Sequence, residues 1–199
     1  SQASALAEYS FGDQAPVTNL VLVKVGRGVG AGIVKNKELY SGDGFGAGEI
    51  GHVKIDDQGE LCSCGNRGCL ETKISSRAIQ KMVLERSQNS QDSELSQKIH
   101  SQETINLEDI LSAYQSGETF VVDIIKDVGR DLAQALAFLV GILNIQCIVI
   151  AGSVSDFGAG LVSEIEKYLQ GRVLTLLSQD TQVNISSLGE DIVMLGAAA

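Results

Sequence analysis

Three of the four cysteines of this chain lie close together, at Cys62, Cys64 and Cys69, and His52 precedes them by a short stretch. Four such donors so close in sequence match the three-cysteine, one-histidine ligand set of a tetrahedral zinc site, and Gly65 lets the backbone turn tightly between them. A disulfide is the alternative, but Cys62 and Cys64 are too near in sequence for an easy bridge and three thiols cannot all pair. The spacing therefore predicts zinc. The predicted site is structural, because four protein ligands leave no open position for a catalytic water.

Length and charge limit the possible classes of protein. The 199 residues fit one domain or one large lobe of a bigger protein. The formal net charge of -10 at pH 7 argues against nucleic-acid binding by this surface, because phosphates would be repelled. We expect no membrane span and no signal peptide, since no uninterrupted apolar run reaches about 18 residues. Thiols arranged for a metal predict a reducing, cytoplasmic environment.

Predicted strands alternate with predicted helices along the chain. A β-branched run predicts a buried strand over residues 19–25, and apolar residues at helical spacing predict a long helix over 119–143 that Thr119 caps. This alternation predicts an α/β fold with a partly parallel sheet. The chain opens in a helical pattern without a start signal, which suggests a fragment of a longer protein. Further strands are predicted at 33–35, 38–40, 53–55, 147–150 and 183–186, further helices at 1–11, 75–86, 107–114 and 161–170, and a mobile polar excursion at 87–101.

Two acidic residues flank the cysteine cluster. Glu49 lies three residues before His52, and Glu71 lies two residues after Cys69. A metal-bound histidine can donate a hydrogen bond from its second ring nitrogen. Together with two carboxylates it would suit a polyhydroxylated ligand, because each hydroxyl both donates and accepts. The alternative is that Glu49 only orients His52 and that Glu71 only belongs to the following helix, and the spacing alone does not separate the two interpretations.

A glycine-rich loop over residues 26–32 is predicted to join the first strand to the strand at 33–35 as a hairpin. Gly26, Gly28, Gly30 and Gly32 occupy every second position, where backbone N–H groups could approach an anion. The segment lacks the helix that follows a dinucleotide fingerprint and the lysine of a Walker loop. Such a hairpin is often only a tight turn. Arg27 could bind phosphate or face solvent.

A second glycine turn, at Gly152 and Ser153, follows the predicted strand 147–150. Open α/β sheets bind ligands at the carboxyl ends of their strands. By itself the signal is weak, because strand-to-helix turns commonly contain glycine.

Two segments resemble the signature of the ROK family: Gly-Ala-Gly-Glu-Ile-Gly-His at 46–52 and Cys-Ser-Cys-Gly-Asn-Arg-Gly-Cys-Leu-Glu at 62–71. That family groups bacterial sugar-responsive repressors with sugar kinases on an actin-like, ribonuclease-H-like fold, and the resemblance covers essentially the whole chain. The implied zinc ligands are His52, Cys62, Cys64 and Cys69, and the implied sugar-binding residues are Glu49, His52 and Glu71. The implied nucleotide-loop positions are Gly26, Arg27, Gly28, Gly30, Gly152 and Ser153.

The departures from the family pattern favour the repressor branch. ROK kinases typically carry Gly-Thr-Gly in the phosphate loop, and Arg27 stands here in place of the threonine. Kinases usually have consecutive glycines in the second turn, whereas Gly152 is single here. The family's catalytic aspartate would precede Ser1, outside this chain, so that this chain has no base for a sugar hydroxyl. The polar segment 87–118 also resembles the longer connection of the repressors.

The resemblance therefore implies a regulator, and residues 1–199 are expected to form its single carboxyl-terminal lobe, with effector-sensing and oligomerising roles. Its partner would be a sugar or sugar phosphate, it would self-associate, and it would reach DNA only through an upstream domain absent from this chain. The first alternative is the carboxyl-terminal lobe of an ATP- and Mg2+-dependent sugar kinase. The second is a zinc-stabilised interaction module without a ligand.

Overall fold

A five-stranded mixed sheet forms the centre of the molecule in a computed structural model that describes residues 1–14, 17–87, 94–101 and 104–199. The strand order is β3-β2-β1-β4-β5. The first three strands are antiparallel neighbours, whereas β4 pairs parallel with both β1 and β5. The strands are β1 Leu20–Val25, β2 Val29–Lys35, β3 Glu38–Tyr40, β4 Cys147–Ala151 and β5 Gln182–Ile185. The predicted α/β fold with a partly parallel sheet is confirmed.

Helices cover both faces of this sheet. The alternation of side chains along a strand explains the two layers, because successive residues point to opposite faces. In β1, Leu20 and Leu22 belong to the apolar cluster of α1 and α9, whereas Val21 and Val23 belong to the larger cluster of α6 and α7. The helices are α1 Gln2–Phe11, α2 Glu71–Ile74, α3 Ser76–Arg86, α4 Glu94–His100, α5 Leu107–Gln115, α6 Thr119–Leu143, α7 Gly158–Leu169, α8 Thr175–Asp180 and α9 Ile192–Ala198. None of the described helices is both long and apolar enough to cross a bilayer.

Local signals set several of these boundaries. The Ser75 side chain accepts the Ala78 N–H and caps α3, and Asn106 with Asp109 forms a capping box at the start of α5. The turn between β2 and β3 places Asn36 at φ 53°, as a tight hairpin turn requires.

Four predicted elements differ in the structure. Strand β2 begins at Val29, so that part of the predicted glycine loop is extended sheet, because β1 supplies hydrogen-bond partners. The strand predicted at 53–55 is reduced to a single bridge, and α6 begins after Glu118 without a side-chain cap. Of the predicted mobile segment 87–101, residues 88–93 lie outside the described residues. Residues 94–100 form α4, which buries Leu95.

Glu8 is a buried carboxyl on the inner face of α1, with 1% of its surface exposed. Its Oε2 accepts a hydrogen bond from the Ser186 hydroxyl at 2.5 Å, whereas its Oε1 has no partner among the described residues. Burial raises the pKa of this carboxyl above its usual value, the Ser186 hydrogen bond opposes the rise, and Asp13 adds to it. The folded state therefore favours a neutral group at this position.

We expect Glu8→Gln to stabilise the protein near neutral pH. A carboxyl whose pKa is raised by folding contributes its full stability below the unfolded pKa and loses it as the pH rises through the folded pKa. Glutamine does not ionise and avoids that loss. Thermal unfolding should show a gain of about 1 kcal/mol at about pH 7.5 and little change at about pH 4. The exposed Glu166→Gln is the control, and equal gains at both pH values would contradict the assignment.

Candidate functional site: a cysteine knuckle beside a glycine hairpin

The histidine and three cysteines of the knuckle, residues 52–69, converge on one point. The candidate ligand atoms of His52, Cys62, Cys64 and Cys69 all lie within 4.8 Å of one another. Cys64 Sγ lies 3.6 Å from Cys69 Sγ, and Cys62 Sγ lies 3.6 Å from His52 Nδ1. A tetrahedral zinc ion with Zn–S bonds of about 2.3 Å separates its sulfur ligands by about 3.8 Å, so these distances fit a central ion. The structure forms no disulfide among these thiols, and the 3.6 Å between Cys64 Sγ and Cys69 Sγ exceeds the S–S bond length of about 2.05 Å.

The backbone of the knuckle folds back on itself through glycines. Gly65 has φ 92° and closes a turn in which its N–H donates to the Cys62 carbonyl at 3.0 Å. Gly68 has φ 72°, and a Cβ there would lie only 1.7 Å from the Asp56 carbonyl oxygen. Glycine is therefore required at residue 68 for this segment to pack against the backbone of Asp56.

The chemistry of the donors also fits a cation. Burial, together with the neighbouring Cys64 and Cys62 thiols, raises the pKa of the Cys69 thiol to about 12. Without a positive charge nearby, Cys69 would remain protonated at neutral pH. Zinc binds the thiolate form and supplies the compensating charge. The cluster is consistent with a zinc site.

A cleft of about 460 Å³ lies between the knuckle and the first β-hairpin, and we call it the hairpin cleft. Glu49, His52 and Glu71, the three residues predicted to bind a sugar, all line it. Ser1, Lys24 and residues 26–30 also line it. Because Nδ1 of His52 faces the thiols, Nε2 is the ring nitrogen that remains for a ligand. The structure thus brings these three groups together, although their contact with a sugar stays a prediction.

Glu71 connects the two sides of the hairpin cleft. It is the first residue of α2, and its Oε2 accepts the backbone N–H of Val29 at 2.9 Å. A Cβ at residue 28 would lie 3.1 Å from the same oxygen, so Gly28 permits this close approach. The carboxylate therefore fixes the hairpin as well as facing the cleft. Nothing in the sequence signals this hydrogen bond, because 42 residues separate donor and acceptor.

The alternating glycines of the hairpin have two separate structural roles. Gly26 and Gly28 form the turn, where the Gly26 N–H donates to the Gly28 carbonyl at 3.0 Å. Gly30 and Gly32 lie in β2 beneath α1, and a Cβ at residue 32 would approach Ala5 Cβ to 2.5 Å. Close helix packing therefore explains part of the glycine pattern, while the turn residues border the cleft.

The second glycine turn, at Gly152 and Ser153, lies against this hairpin, as it must if both are to contact one nucleotide. Gly152 has φ 89°, and a Cβ there would lie 2.6 Å from the Val25 carbonyl oxygen. A Cβ at residue 26 would lie 3.6 Å from Ser153 Oγ. The two predicted loop segments therefore come together, and binding of a nucleotide by them stays a prediction.

Lys24 is a site residue that the sequence-based argument missed. It lines the hairpin cleft and is half-buried, whereas the five other residues of β1 are fully buried apolar side chains. The signal was present in the sequence, because a lone charge within an apolar strand needs a specific environment.

A second cavity of about 240 Å³ lies on the other side of Ser153, and we call it the acidic pocket. Its lining residues include Glu108, Asp156 and Glu190. Burial raises the pKa of the Asp156 carboxyl, and Glu190 raises it further. The acidic pocket therefore disfavours anions.

The fold and the site together define a class of protein. A mixed sheet with helices on both faces, a glycine hairpin and a histidine–cysteine knuckle form an actin-like, ribonuclease-H-like α/β lobe. The chain belongs to the ROK family, which it matches over residues 1–199.

Sequence relatives include both branches of this family. The N-acetylglucosamine repressor of Escherichia coli O6:H1 is 33% identical over 184 residues, which represent 92% of this chain and 44% of the repressor. The glucokinase of Halalkalibacterium halodurans is 31% identical over 194 residues, which represent 97% of this chain and 59% of the kinase. The chain therefore spans about half the length of these relatives, and identity alone does not separate regulator from kinase.

A solved structure matches the fold closely. The crystal structure of a ROK family transcriptional regulator, a homologue of the Escherichia coli MLC protein, superimposes with a TM-score of 0.89 at 38% sequence identity. The match covers 99% of this chain and 49% of that one. The predicted family and fold class are confirmed.

Proposed function

We propose that residues 1–199 form the carboxyl-terminal lobe of a cytoplasmic ROK transcriptional regulator that senses a sugar or sugar phosphate and self-associates. DNA recognition is assigned to a domain outside this chain, since the net charge of -10 opposes direct contact with phosphates. Effector binding would favour one arrangement of the whole regulator and so change its affinity for DNA.

The convergence of Glu49, His52 and Glu71 on the hairpin cleft carries this proposal. The side chains come from a loop, a short 3-10 helix and the start of α2, and the knuckle holds the last two together. Carboxylates accept hydrogen bonds and a histidine N–H donates one, which is the complement that sugar hydroxyls require. Because these three side chains are already held in place, less conformational entropy is lost when a ligand binds.

A structural zinc ion would fix the orientation of His52 relative to Glu49 and Glu71. The proposed ligands are His52 Nδ1 and the sulfurs of Cys62, Cys64 and Cys69. Coordination through Nδ1 would fix the tautomer, so that Nε2 keeps its hydrogen and donates a hydrogen bond to a sugar hydroxyl in the cleft. With four protein ligands the ion has no position for substrate, and its contribution is orientation.

Two observations favour a regulator over an enzyme. Arg27 lines the cleft at the position where ROK kinases typically carry threonine, so the phosphate loop departs from the kinase pattern. Beyond Ser153, the acidic pocket would repel a nucleotide that extended across the second turn.

Calorimetry on the full-length protein tests the sensor function. Titration with N-acetylglucosamine, glucose, xylose and their phosphate esters should show binding of at least one compound. We expect Glu49→Ala to weaken that binding by roughly tenfold to a hundredfold, because a hydrogen bond to a charged group is lost. The exposed Glu38→Ala is the matched control. Uniformly absent binding would contradict the proposal and favour a zinc-stabilised interaction module, whereas unchanged binding in Glu49→Ala would contradict the assignment of Glu49 to the sugar site.

The similarity to a glucokinase supports a second candidate, the carboxyl-terminal lobe of an ATP-dependent sugar kinase. In that case Gly28, Gly30 and Gly152 would contact phosphates and Mg2+ would accompany ATP. A coupled ADP-release assay on the intact protein separates the two functions. Sugar-dependent turnover would establish the kinase and contradict the regulator.

A further inference from the structure

The carboxyl-terminal half of α6 carries large apolar side chains that the described residues leave largely uncovered. The charged residues of this helix all precede Leu132, and residues 132–155 contain none. Phe138 and Ile142, one helical turn apart on the same side, are 53% and 78% exposed. A helix that is apolar on every side is normally buried on every side. The outer side of α6 is therefore expected to meet another apolar surface.

Gly141 lies on this outer side, between Phe138 and Ile142. Glycine weakens the interior of a helix, so a packing reason is expected for it. Gly129 in the same helix has such a reason, because a Cβ there would lie 2.9 Å from Glu164 Cβ in α7. A Cβ at residue 141 would meet no heavy atom of the described residues within 4 Å, and no left-handed backbone angle requires glycine there. Close approach of a backbone from outside the chain would explain it.

Helix α8 extends this apolar surface beside the end of α6. The two helices are in contact, and the Thr181 hydroxyl joins their ends. Its oxygen lies 3.1 Å from the carbonyl oxygen of Ile145, just after α6, and 2.9 Å from that of Leu177 in α8. Leu174 and Leu176, at the start of α8, are 68% and 66% exposed. We call the surface formed by Phe138, Gly141, Ile142, Leu174 and Leu176 the apolar patch.

The apolar patch lies at the end of the sheet opposite the hairpin cleft. Strands β1 and β4 run parallel, and the carboxyl end of β1 leads directly into Gly26 of the cleft. Helix α6 ends at Leu143, just before the amino end of β4. Ser1 lines the cleft, so a segment preceding it would leave the lobe at the cleft and not at the apolar patch.

A second copy of this chain fits the apolar patch. Each copy has a formal net charge of -10, so two copies repel each other through their charged surfaces and approach most easily where there is no charge. The five residues of the patch are all uncharged. Phe138 and Ile142 protrude on either side of Gly141, so the same surface has both protrusions and a groove. A two-fold interface requires this self-complementarity, because the same residues meet from both copies.

We propose that two copies of this chain associate through the apolar patch, with the end of α6 in each copy packed across Gly141 of the other. This inference rests on the self-association contained in the proposed function and assigns a surface to it. Burial of apolar area would drive the association. Raising the ionic strength should therefore not weaken it, since salt also screens the repulsion between two acidic lobes.

Sedimentation analysis of the full-length protein measures the association. Ile142→Glu introduces a charge on both sides of the interface and should weaken dimerisation at least about a hundredfold. Gly141→Leu fills the groove and should weaken it at least about tenfold. Leucine is the better helix former, so this second loss cannot come from a weaker α6. Circular dichroism should show both variants folded, because both positions are exposed.

Met194→Glu is the matched control. Met194 is another large apolar residue, 67% exposed, on α9, which packs with α1 against the other face of the sheet. The substitution adds the same charge to each copy without touching the apolar patch. We expect the dissociation constant of this variant to equal that of the original protein.

The outcomes separate this inference from the function on which it rests. A monomeric original protein would contradict self-association itself. Folded Ile142→Glu and Gly141→Leu variants that associate as tightly as the original protein would overturn the apolar patch as the interface, while self-association stands. Equal weakening by Met194→Glu would overturn it too, because added charge alone would then explain the effect. Dissociation at high salt would overturn it in favour of a charged interface.

Discussion

Replacing Cys64 with serine should lower the zinc content of the purified protein below one ion per chain. A serine hydroxyl is a much weaker ligand than a thiolate, and three remaining donors hold zinc less tightly than four. Cys64 is also the exposed member of the cluster, so its replacement disturbs the apolar core little. Elemental analysis by mass spectrometry on the folded protein measures the change directly.

Loss of zinc should unfold the knuckle locally and leave the sheet intact. Zinc can contribute on the order of 10 kcal/mol to folding at such sites. Among residues 52–69, only Ile55 packs against the apolar core of the sheet and α6, so most of that core lies outside the knuckle. Hydrogen exchange after treatment with a chelator should therefore accelerate across residues 50–72 and stay slow in β1 and β4. The proposed sugar binding should be lost at the same time, because His52 would no longer be oriented.

Cys147→Ser is the matched control for this experiment. Cys147 is the remaining cysteine, buried in β4 on the face toward α1, outside the cluster. Its replacement can reduce stability but should leave one zinc ion per folded chain. Stoichiometric zinc in Cys64→Ser, or equal losses in the two variants, would contradict the ligand assignment.

The parts of the site that were predictable from the sequence are those with local signals. The cysteine spacing predicted the metal cluster because all four donors lie in one short stretch. The paired signature segments placed Glu49 and Glu71 near His52. The helix predicted at 119–143 followed from apolar spacing, and the structure forms it as α6. Each inference depended on residues that are close neighbours in the chain.

The parts that were not predictable depend on contacts between distant segments. The hydrogen bond from the Val29 N–H to Glu71 joins a hairpin to a helix start, and the extra length of β2 depends on its pairing with β1. The prediction of a loop over residues 26–32 was wrong for residues 29–32, which belong to β2. Alternating glycines are compatible both with a flexible loop and with a strand packed beneath a helix. Lys24 was visible in the sequence, but only the folded hairpin shows that it faces the same cleft as Arg27.

Gly51→Ala should destabilise the protein and weaken ligand binding together. A Cβ at residue 51 would lie 2.2 Å from the carbonyl oxygen of Val29 and 2.9 Å from its carbonyl carbon. Backbone atoms cannot move aside as a flexible side chain can, so the segment 50–52 must separate from the hairpin. Overpacking of this kind costs about 1–3 kcal/mol. Chemical denaturation measures the loss of stability, and calorimetry measures the loss of affinity.

Gly46→Ala isolates the steric cause of this effect. Gly46 lies in the adjoining loop at φ -96°, and a Cβ there has no heavy atom within 4 Å. We expect the free energy of unfolding of Gly46→Ala to stay within about 0.5 kcal/mol of that of the original protein. We expect its affinity for the ligand to be unchanged. Gly51 packs against the carbonyl group of Val29, and the N–H of Val29 donates to Glu71. A Cβ at residue 51 would therefore displace the hairpin from Glu71, whereas a Cβ at residue 46 would not. If both variants behave alike, the hairpin and the knuckle do not position the ligand jointly, and the site would have to be assembled by the knuckle alone.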